Sequence, residues 1–387
     1  MSDDGDSFEV VTEQSWFGRL GGSLLGALFG FILFLASFVL LYWNEGRAVA
    51  AFDALNAGAR TVVSVPADRA DPAHEGALVH VSGAAAVDGT PTDPVFHAAA
   101  SGAIRLRRHV EMFQWHEHEE SHTEKRIGGG ETTHTTYTYT KVWSESAVDS
   151  TRFKQPNGHH NPSMALSSAV FDAKATRLGG FQLDSALVHE IAGFAPWTAP
   201  AAVTGGDAAP AFQRVGDRFV HGANPDAPEV GDLRVSFEVV TLQPISVVAA
   251  QVGGVLAPFR APNGRTIALV DLGAHTAADM FHEAKAQESM LTWILRGVGF
   301  VVMVIGLWLL SAPLAWFASL LPILADMVEM VGFFLAVAVA LPLTLLTIAI
   351  AWLAHRPLIG IGLIVAGLAF GYAVHRIAPR RRRTATA

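Results

Sequence analysis

The stretch His116-Glu117-His118-Glu119-Glu120-Ser121-His122 is the densest group of chemically able side chains in the sequence. Its last five residues match H-E-x-x-H, the zinc-protease string. There, two histidines one helical turn apart hold a metal and the glutamate acts as general base. That string works on a helix. Here the flanks read as strand, and on a strand His118 and His122 stand about 13 Å apart, too far for one ion. His116 and His118 would share a strand face instead, and His134 could join them across a hairpin. A solvated hairpin rich in Glu and Thr explains the same residues, so no metal ligand and no cofactor is assigned. His159-His160 follow the turn Pro156-Asn157-Gly158 and read as a loop pair. Arg296, and Asp326 with Glu329, stand at the ends of apolar segments. They could line an ion path, but at such ends long side chains reach the interface without any such role. The sequence has no phosphate-binding G-x-x-x-x-G-K-[ST] and no nucleophile elbow G-x-S-x-G. It has no cysteine, which removes disulfides, thiolate metal sites and cysteine nucleophiles. The residues point to a protein that is not an enzyme.

The elements that carry these residues divide sharply. Of 387 residues 51% are hydrophobic and 16% charged, against about 25% charged in soluble domains. The deficit lies near the two ends. Leu20 to Trp43 carries no charge, and as a helix it is about 36 Å long, enough to cross a hydrocarbon core of about 30 Å. The stretch before it is acidic, so it reads as an uncleaved anchor and not as a signal peptide. Gly18, Gly22, Gly26 and Gly30 form a small-xxx-small ladder that lets another helix approach. A second span is predicted over 294–310, then a proline-bounded interfacial or re-entrant piece with a polar turn at Asp326 and Glu329 (311–330). Spans follow over 331–354 and 358–374, with Gly360, Gly362, Gly367 and Gly371 in the last. Four spans put the N-terminal tail (1–19) and the basic tail (375–387) on one side. Arg19 and five C-terminal arginines flank that side, against Arg47, Lys285, Arg296 and Arg356 on the other, so the termini are read as cytoplasmic. The arginines abut a span, and with a net charge of −8 the chain is not read as a nucleic-acid binder.

Residues 44–293 read as the extracytoplasmic domain, with domain-like patterning over 52–296. Strands are predicted at 77–83, over 102–115 (Ile104, Leu106, Val110 and Met112 on one face) and over 132–143, the last two joined by Gly128-Gly129-Gly130 into a long hairpin. Short helices are predicted from Asn161-Pro162-Ser163 and over Leu178–Glu190, and a loop over Ala199–Asp226. Strands return over 233–240, 245–252 and 266–272. A helix capped by Thr276 runs into the second span. The fold class is an α-helical multispan membrane protein, one span N-terminal and three C-terminal, with a large strand-rich α+β domain.

Several strings resemble those of the transmembrane protein 43 (LUMA) family. They are Trp43-Asn44-Glu45-Gly46-Arg47-Ala48-Val49 after the first span, Val110-Glu111-Met112-Phe113-Gln114-Trp115, Asn161-Pro162-Ser163, Arg234-Val235-Ser236-Phe237 and Met280-Phe281-His282. The resemblance covers nearly the whole chain. It implies a multispan protein whose animal members lie in the endoplasmic reticulum and inner nuclear membrane, with the large domain lumenal and a role in organising membrane complexes. It implies no catalytic residues. Alanine, glycine and arginine usage looks bacterial, which implies an inner membrane with the domain in the periplasm.

The residues expected to serve interaction or membrane exit are Gly18, Gly22, Gly26, Gly30, Trp43, Asn44, Glu45, Gly46, Arg47, Glu111, Gln114 and Trp115. Gly46 is expected to let the chain leave the helix sharply, and Glu45 and Arg47 to pair or to touch head groups. Glu111–Trp115 is read either as an edge strand open to another subunit or as an internal strand. The expected partners are membrane lipids, a second copy of the chain and other membrane proteins. The expected function is a non-enzymatic, self-associating scaffold. Two other readings stand beside it: a transporter or lipid-handling protein with a path between the last three spans, and a metal-dependent enzyme, which needs 118–122 to be helical.

Overall fold

Trp16 starts a single helix, α1 (Trp16–Thr61), that runs for 46 residues, about 69 Å. It does not end at Gly46 as expected. Ala48, Ala50, Ala51, Ala54, Ala57 and Ala59 follow, and alanine is the strongest helix former, so the helix continues for fifteen residues past that glycine. The computed structural model describes residues 6–127, 129–200, 212–319 and 322–357. The fourth predicted span (358–374) and the basic tail lie outside them.

The chain forms two units. One holds Ala54–Glu124 and Thr132–Lys285 together with the N-terminal strand. Its first sheet has the order β1 (Asp6–Gln14), β4 (Glu131–Ser144), β3 (Ala103–Lys125), β5 (Leu233–Thr241), then Arg218–His221 and Phe212–Val215. β3 and β4 are the predicted hairpin. Ile104, Leu106, Val110 and Met112 are fully buried, the last three in a core with Phe96, Phe219, Val235 and Phe237 and Ile104 in the core of the second sheet. Arg108 also points into this core and is neutralised by Asp93, with both carboxylate oxygens on one guanidinium nitrogen at 2.8 and 2.7 Å.

The second sheet closes a ring. β6 (Pro244–Val252) pairs with β2 (Leu78–Asp88), β2 with Ala175–Leu178, that strand with Phe181–Leu183, and the circuit returns through Val255–Ala257 to β6. A closed circuit leaves its members no free edge. Val79, Val81, Leu178, Phe181, Val247, Ala249 and Leu256 fill it, with Leu187 of α2 (Ser185–Glu190). The outer face of β6 is also buried: Val248 packs with Ala54, Leu55, Met280 and Phe281.

Three expectations fail here. Residues 161–168 form no helix, because Asn161 spends its side chain on the backbone of Trp115 and Val148. Leu178–Glu190 is two short strands and one six-residue helix. Gly179 is a φ +60° turn between the strands, and Asp184 caps the helix. The predicted loop over 199–226 contains a hairpin, Phe212–Val215 with Arg218–His221, turned at Gly216 with φ +61°.

The other unit holds Glu13–Asp53, Lys125–Glu131 and the helices after Ala286. α3 (Ala277–Leu310) runs unbroken from the pre-membrane segment into the second span, as expected, with Thr276 Oγ1 accepting from the Asp279 amide at 3.2 Å. α4 (Ala312–Ala318) is short, and α5 (Pro322–His355) follows. Asp326 and Glu329 therefore lie in a helix and not in the expected turn. Among the described residues three helical stretches, Trp16–Thr61, Ala277–Ala318 and Asp326–His355, are long and apolar enough to cross a membrane. Leu41, Met303, Val304, Ala336 and Ala340 form their shared core.

Candidate functional site

Where α1 leaves its apolar run, three motif residues, Asn44, Glu45 and Arg47, turn inward. Asn44 is fully buried and Glu45 is 1% exposed. Arg296 of α3 grips Glu45 with two nitrogens, Nε to Oε1 at 2.6 Å and Nη2 to Oε2 at 2.8 Å. Trp352 of α5 donates its indole N–H to the same Oε2 at 2.7 Å. Glu45 thus ties three helices at one point. Arg47 turns to Glu288 (2.5 Å) and to Thr292 Oγ1 (3.2 Å), and Asn44 donates to the Thr292 carbonyl at 3.1 Å. Glu45 and Arg47 do not pair with each other, since residues two apart on a helix face different ways. Gly46 has a different use from the one expected. A Cβ there would stand 2.7 Å from His355 Nε2, so the missing side chain lets α5 approach. Trp43 stays 55% exposed, which suits an interfacial aromatic. Asn44 Oδ1 and Arg47 Nε are buried without a hydrogen-bond partner among the described residues.

Sequence reading found the α1 half of this network and missed Glu288, Thr292, Trp352 and His355. A signal was present: Glu288, Thr292 and Arg296 recur every fourth residue, one face of a helix.

The glycine ladder splits. Gly18 sits in the first turn of α1, its amide donating to Ser15 Oγ. Gly30 is in use: a Cβ there would lie 2.7 Å from the Gly306 carbonyl oxygen and 2.6 Å from Leu309 Cβ. Gly306 in turn meets the backbone of Phe34, and Gly299 sits under Leu41. Gly22 and Gly26, with Gly21, have nothing within 4 Å of a built Cβ.

In the strand-rich unit, β3 is internal, with β4 on one side and β5 on the other. Glu111 faces Arg234 across the β3–β5 pair and bonds it at 2.5 and 2.8 Å. The hydrogen bond from Arg234 holds the Glu111 carboxyl below its ordinary pKa. Gln114 is fully buried, with its amide donating to the Ser146 carbonyl and accepting from the Val148 amide. Past β5, the Asn161 side chain pairs with both backbone groups of Trp115 at 2.7 and 2.9 Å, in the manner of a neighbouring strand. His159 is buried, stacked on Tyr139 at 3.8 Å. Tyr139 donates to Glu117 at 2.6 Å, and burial and that carboxylate push its pKa up to about 12. These motif residues organise the base of the hairpin.

His118 and His122 lie in β3, exposed, so the helical geometry that H-E-x-x-H requires is not there. His134 is bonded to Glu9 at 2.5 Å. Among the described residues no three potential ligands come together to hold a metal. Two cavities lie among the described residues of the membrane unit. One, about 440 Å³, is walled by apolar residues such as Leu307, Met327, Val331 and Leu335. The other, about 300 Å³, brings Gln14, Arg19, Ser23 and Glu329 against Trp308 and Trp316. Asp326 pairs with Lys125, and Arg356 with Asp53.

The family model described as "Transmembrane protein 43" matches residues 112–357. Human "Transmembrane protein 43" is 36% identical over 373 residues, 93% of this chain and 92% of its own length. The mouse protein is 36% identical, over 89% and 88% of the two chains. The Drosophila melanogaster "Transmembrane protein 43 homolog" is 33% identical, over 88% and 92%. No solved structure matches.

Proposed function

The chain belongs to the transmembrane protein 43 family of membrane proteins, and from that premise we propose that it is a scaffold without catalytic activity that organises membrane complexes by associating with copies of itself. The observation that carries this reading is the open face of α1. A Cβ built at Gly22 or Gly26, one turn apart, meets no described atom within 4 Å, although Gly22 lines the 300 Å³ cavity beside Trp308 and Trp316, while Gly30 on the same ladder is packed against Gly306. Small residues one turn apart let a second helix come close enough for backbone contact, which is how helices associate where lipid removes the hydrophobic drive.

We place a fourth span over 358–374, both termini in the cytoplasm and the strand-rich domain outside. In a bacterium this is an inner-membrane protein with a periplasmic domain. What supports the orientation is the arginine bias at the span ends. Lipids, a second copy and other membrane proteins are the partners this reading calls for. The test is the mass of the purified protein in mild detergent. The wild type runs as an oligomer and Gly22→Leu/Gly26→Leu as a monomer with unchanged melting. A wild-type monomer contradicts self-association.

The second reading, lipid handling, is favoured by one observation: the 300 Å³ cavity sets Arg19, Gln14 and Glu329 against two tryptophans, a polar end with an apolar wall. Lipid retained through purification by the wild type and lost in Trp308→Ala would favour it; equal lipid content in both would count against it.

A further inference from the structure

We propose that the two cavities of the membrane unit are one site for a single zwitterionic phospholipid, with phosphate and ammonium in the polar cavity and one acyl chain in the apolar one. This deepens the lipid-handling reading and rests on it. Ser311 lines both cavities, so they meet at the junction of α3 and α4. Their volumes, about 300 and 440 Å³, fall in the range of small-ligand sites.

Their depths fit a lipid lying as it does in a bilayer. Arg19 is the last charge before the uncharged run of α1, and Glu329 the last before that of α5. Charges at span ends sit at the level of the head groups, and both residues line the polar cavity. The apolar cavity follows α5 past Met327, Val331, Leu335 and Val339, every fourth residue and so one helix face. From Glu329 to Val339 the helix rises about 15 Å, half of a hydrocarbon core of about 30 Å. That is the depth of one leaflet.

The polar cavity has groups for both charges of the head. Arg19 and Ser23 lie one turn apart on α1. Ser23 Oγ is buried with no hydrogen-bond partner among the described residues, although a helical serine can bond the carbonyl four residues back. A phosphate beside Arg19 would supply the partner it lacks, and a guanidinium is a phosphate ligand. Glu329 lines the cavity with Trp308 and Trp316, and a carboxylate beside indole rings attracts an ammonium. Arg19 also pairs with Glu131, and Glu329 with Lys125 at 2.8 Å. Neither contact exhausts its group, since a guanidinium has five N–H donors and a carboxylate about four acceptor sites. A bare phosphate would face Glu329 and a bare ammonium would face Arg19, so the cavity suits a head that carries both. Trp316 is fixed in the wall: it stacks on Trp16 at 4.2 Å, and each indole donates to the other's carbonyl, at 3.2 and 2.8 Å.

The test titrates the full-length protein, purified in mild detergent and delipidated, with phosphatidylethanolamine and with phosphatidylglycerol of the same chains, read by native mass spectrometry. One phosphatidylethanolamine per chain should bind, about tenfold tighter than phosphatidylglycerol. Ser23→Ala should weaken it about two- to tenfold, and no described atom bonds Ser23 Oγ, so the fold is untouched. Arg19→Gln, and Leu335→Trp, which fills the apolar cavity, should each weaken it by more than about tenfold. Glu329→Gln should keep phosphatidylglycerol binding and remove the preference for phosphatidylethanolamine. Equal affinity for the two lipids, unchanged by Glu329→Gln, overturns the head assignment and leaves lipid handling standing. Binding that Ser23→Ala, Arg19→Gln and Leu335→Trp all leave unchanged overturns the site. No lipid of either class bound by the wild type overturns the lipid-handling reading as well.

Discussion

Glu45 is a carboxylate beside a 24-residue uncharged run, yet it is buried and fully bonded. Such a pair adds little net stability over an apolar one, but removing one partner strands a buried charge at a cost of about 3–5 kcal/mol. Glu45→Ala and Arg296→Met should each lower the thermal midpoint in detergent strongly, and Glu45→Met/Arg296→Met should recover much of the loss. Equal loss in the double variant would mean the two residues act separately. Glu111 gives a pH-dependent counterpart in the domain. Its folded pKa is lowered, so the stability it contributes is complete above the ordinary value of about 4.5 and is lost as pH falls through the folded value. Glu111→Gln should cost about 1–2 kcal/mol at neutral pH and flatten the acid limb of a melting-point-against-pH curve. An unchanged acid limb would assign the acid sensitivity elsewhere.

Among the helices, close packing and open packing sit on one ladder. Gly306→Leu should separate α1 from α3 and destabilise the bundle, whereas Gly22→Leu should leave the monomer's melting unchanged, both read by thermal unfolding of detergent-solubilised protein. The apolar runs were legible because length and charge alone decide them. The end of α1 was not. Gly46 reads locally as a breaker, and only its contact with His355 explains a glycine inside a helix. The β3–β4 hairpin was legible from alternation and Gly128–Gly130. The helix expected from Asn161 was not formed, because cap chemistry there serves a neighbouring strand and not a helix. The H-E-x-x-H string failed for the reason its flanks gave, a strand period through Trp115 to Lys125.

For the molecule as a whole, the motifs that resemble the family map onto three places: the α1 exit network, the base of the hairpin, and the core where Met280 and Phe281 pack with Ala54, Leu55 and Val248. In each they hold elements together instead of presenting reactive groups to a cavity. Among the described residues a Cβ built at Gly22 or Gly26 of α1 meets nothing within 4 Å, and the scaffold proposed above rests on that face. In-membrane crosslinking tests that face directly, with single cysteines at Gly22 and Gly26 and, as a site away from the ladder, Trp115. The proposed scaffold gives rapid dimer crosslinks at both α1 positions in native membranes, at a yield that does not depend on expression level. Monomer at Gly22→Cys and Gly26→Cys, with adducts only to lipid or to other proteins, would contradict it.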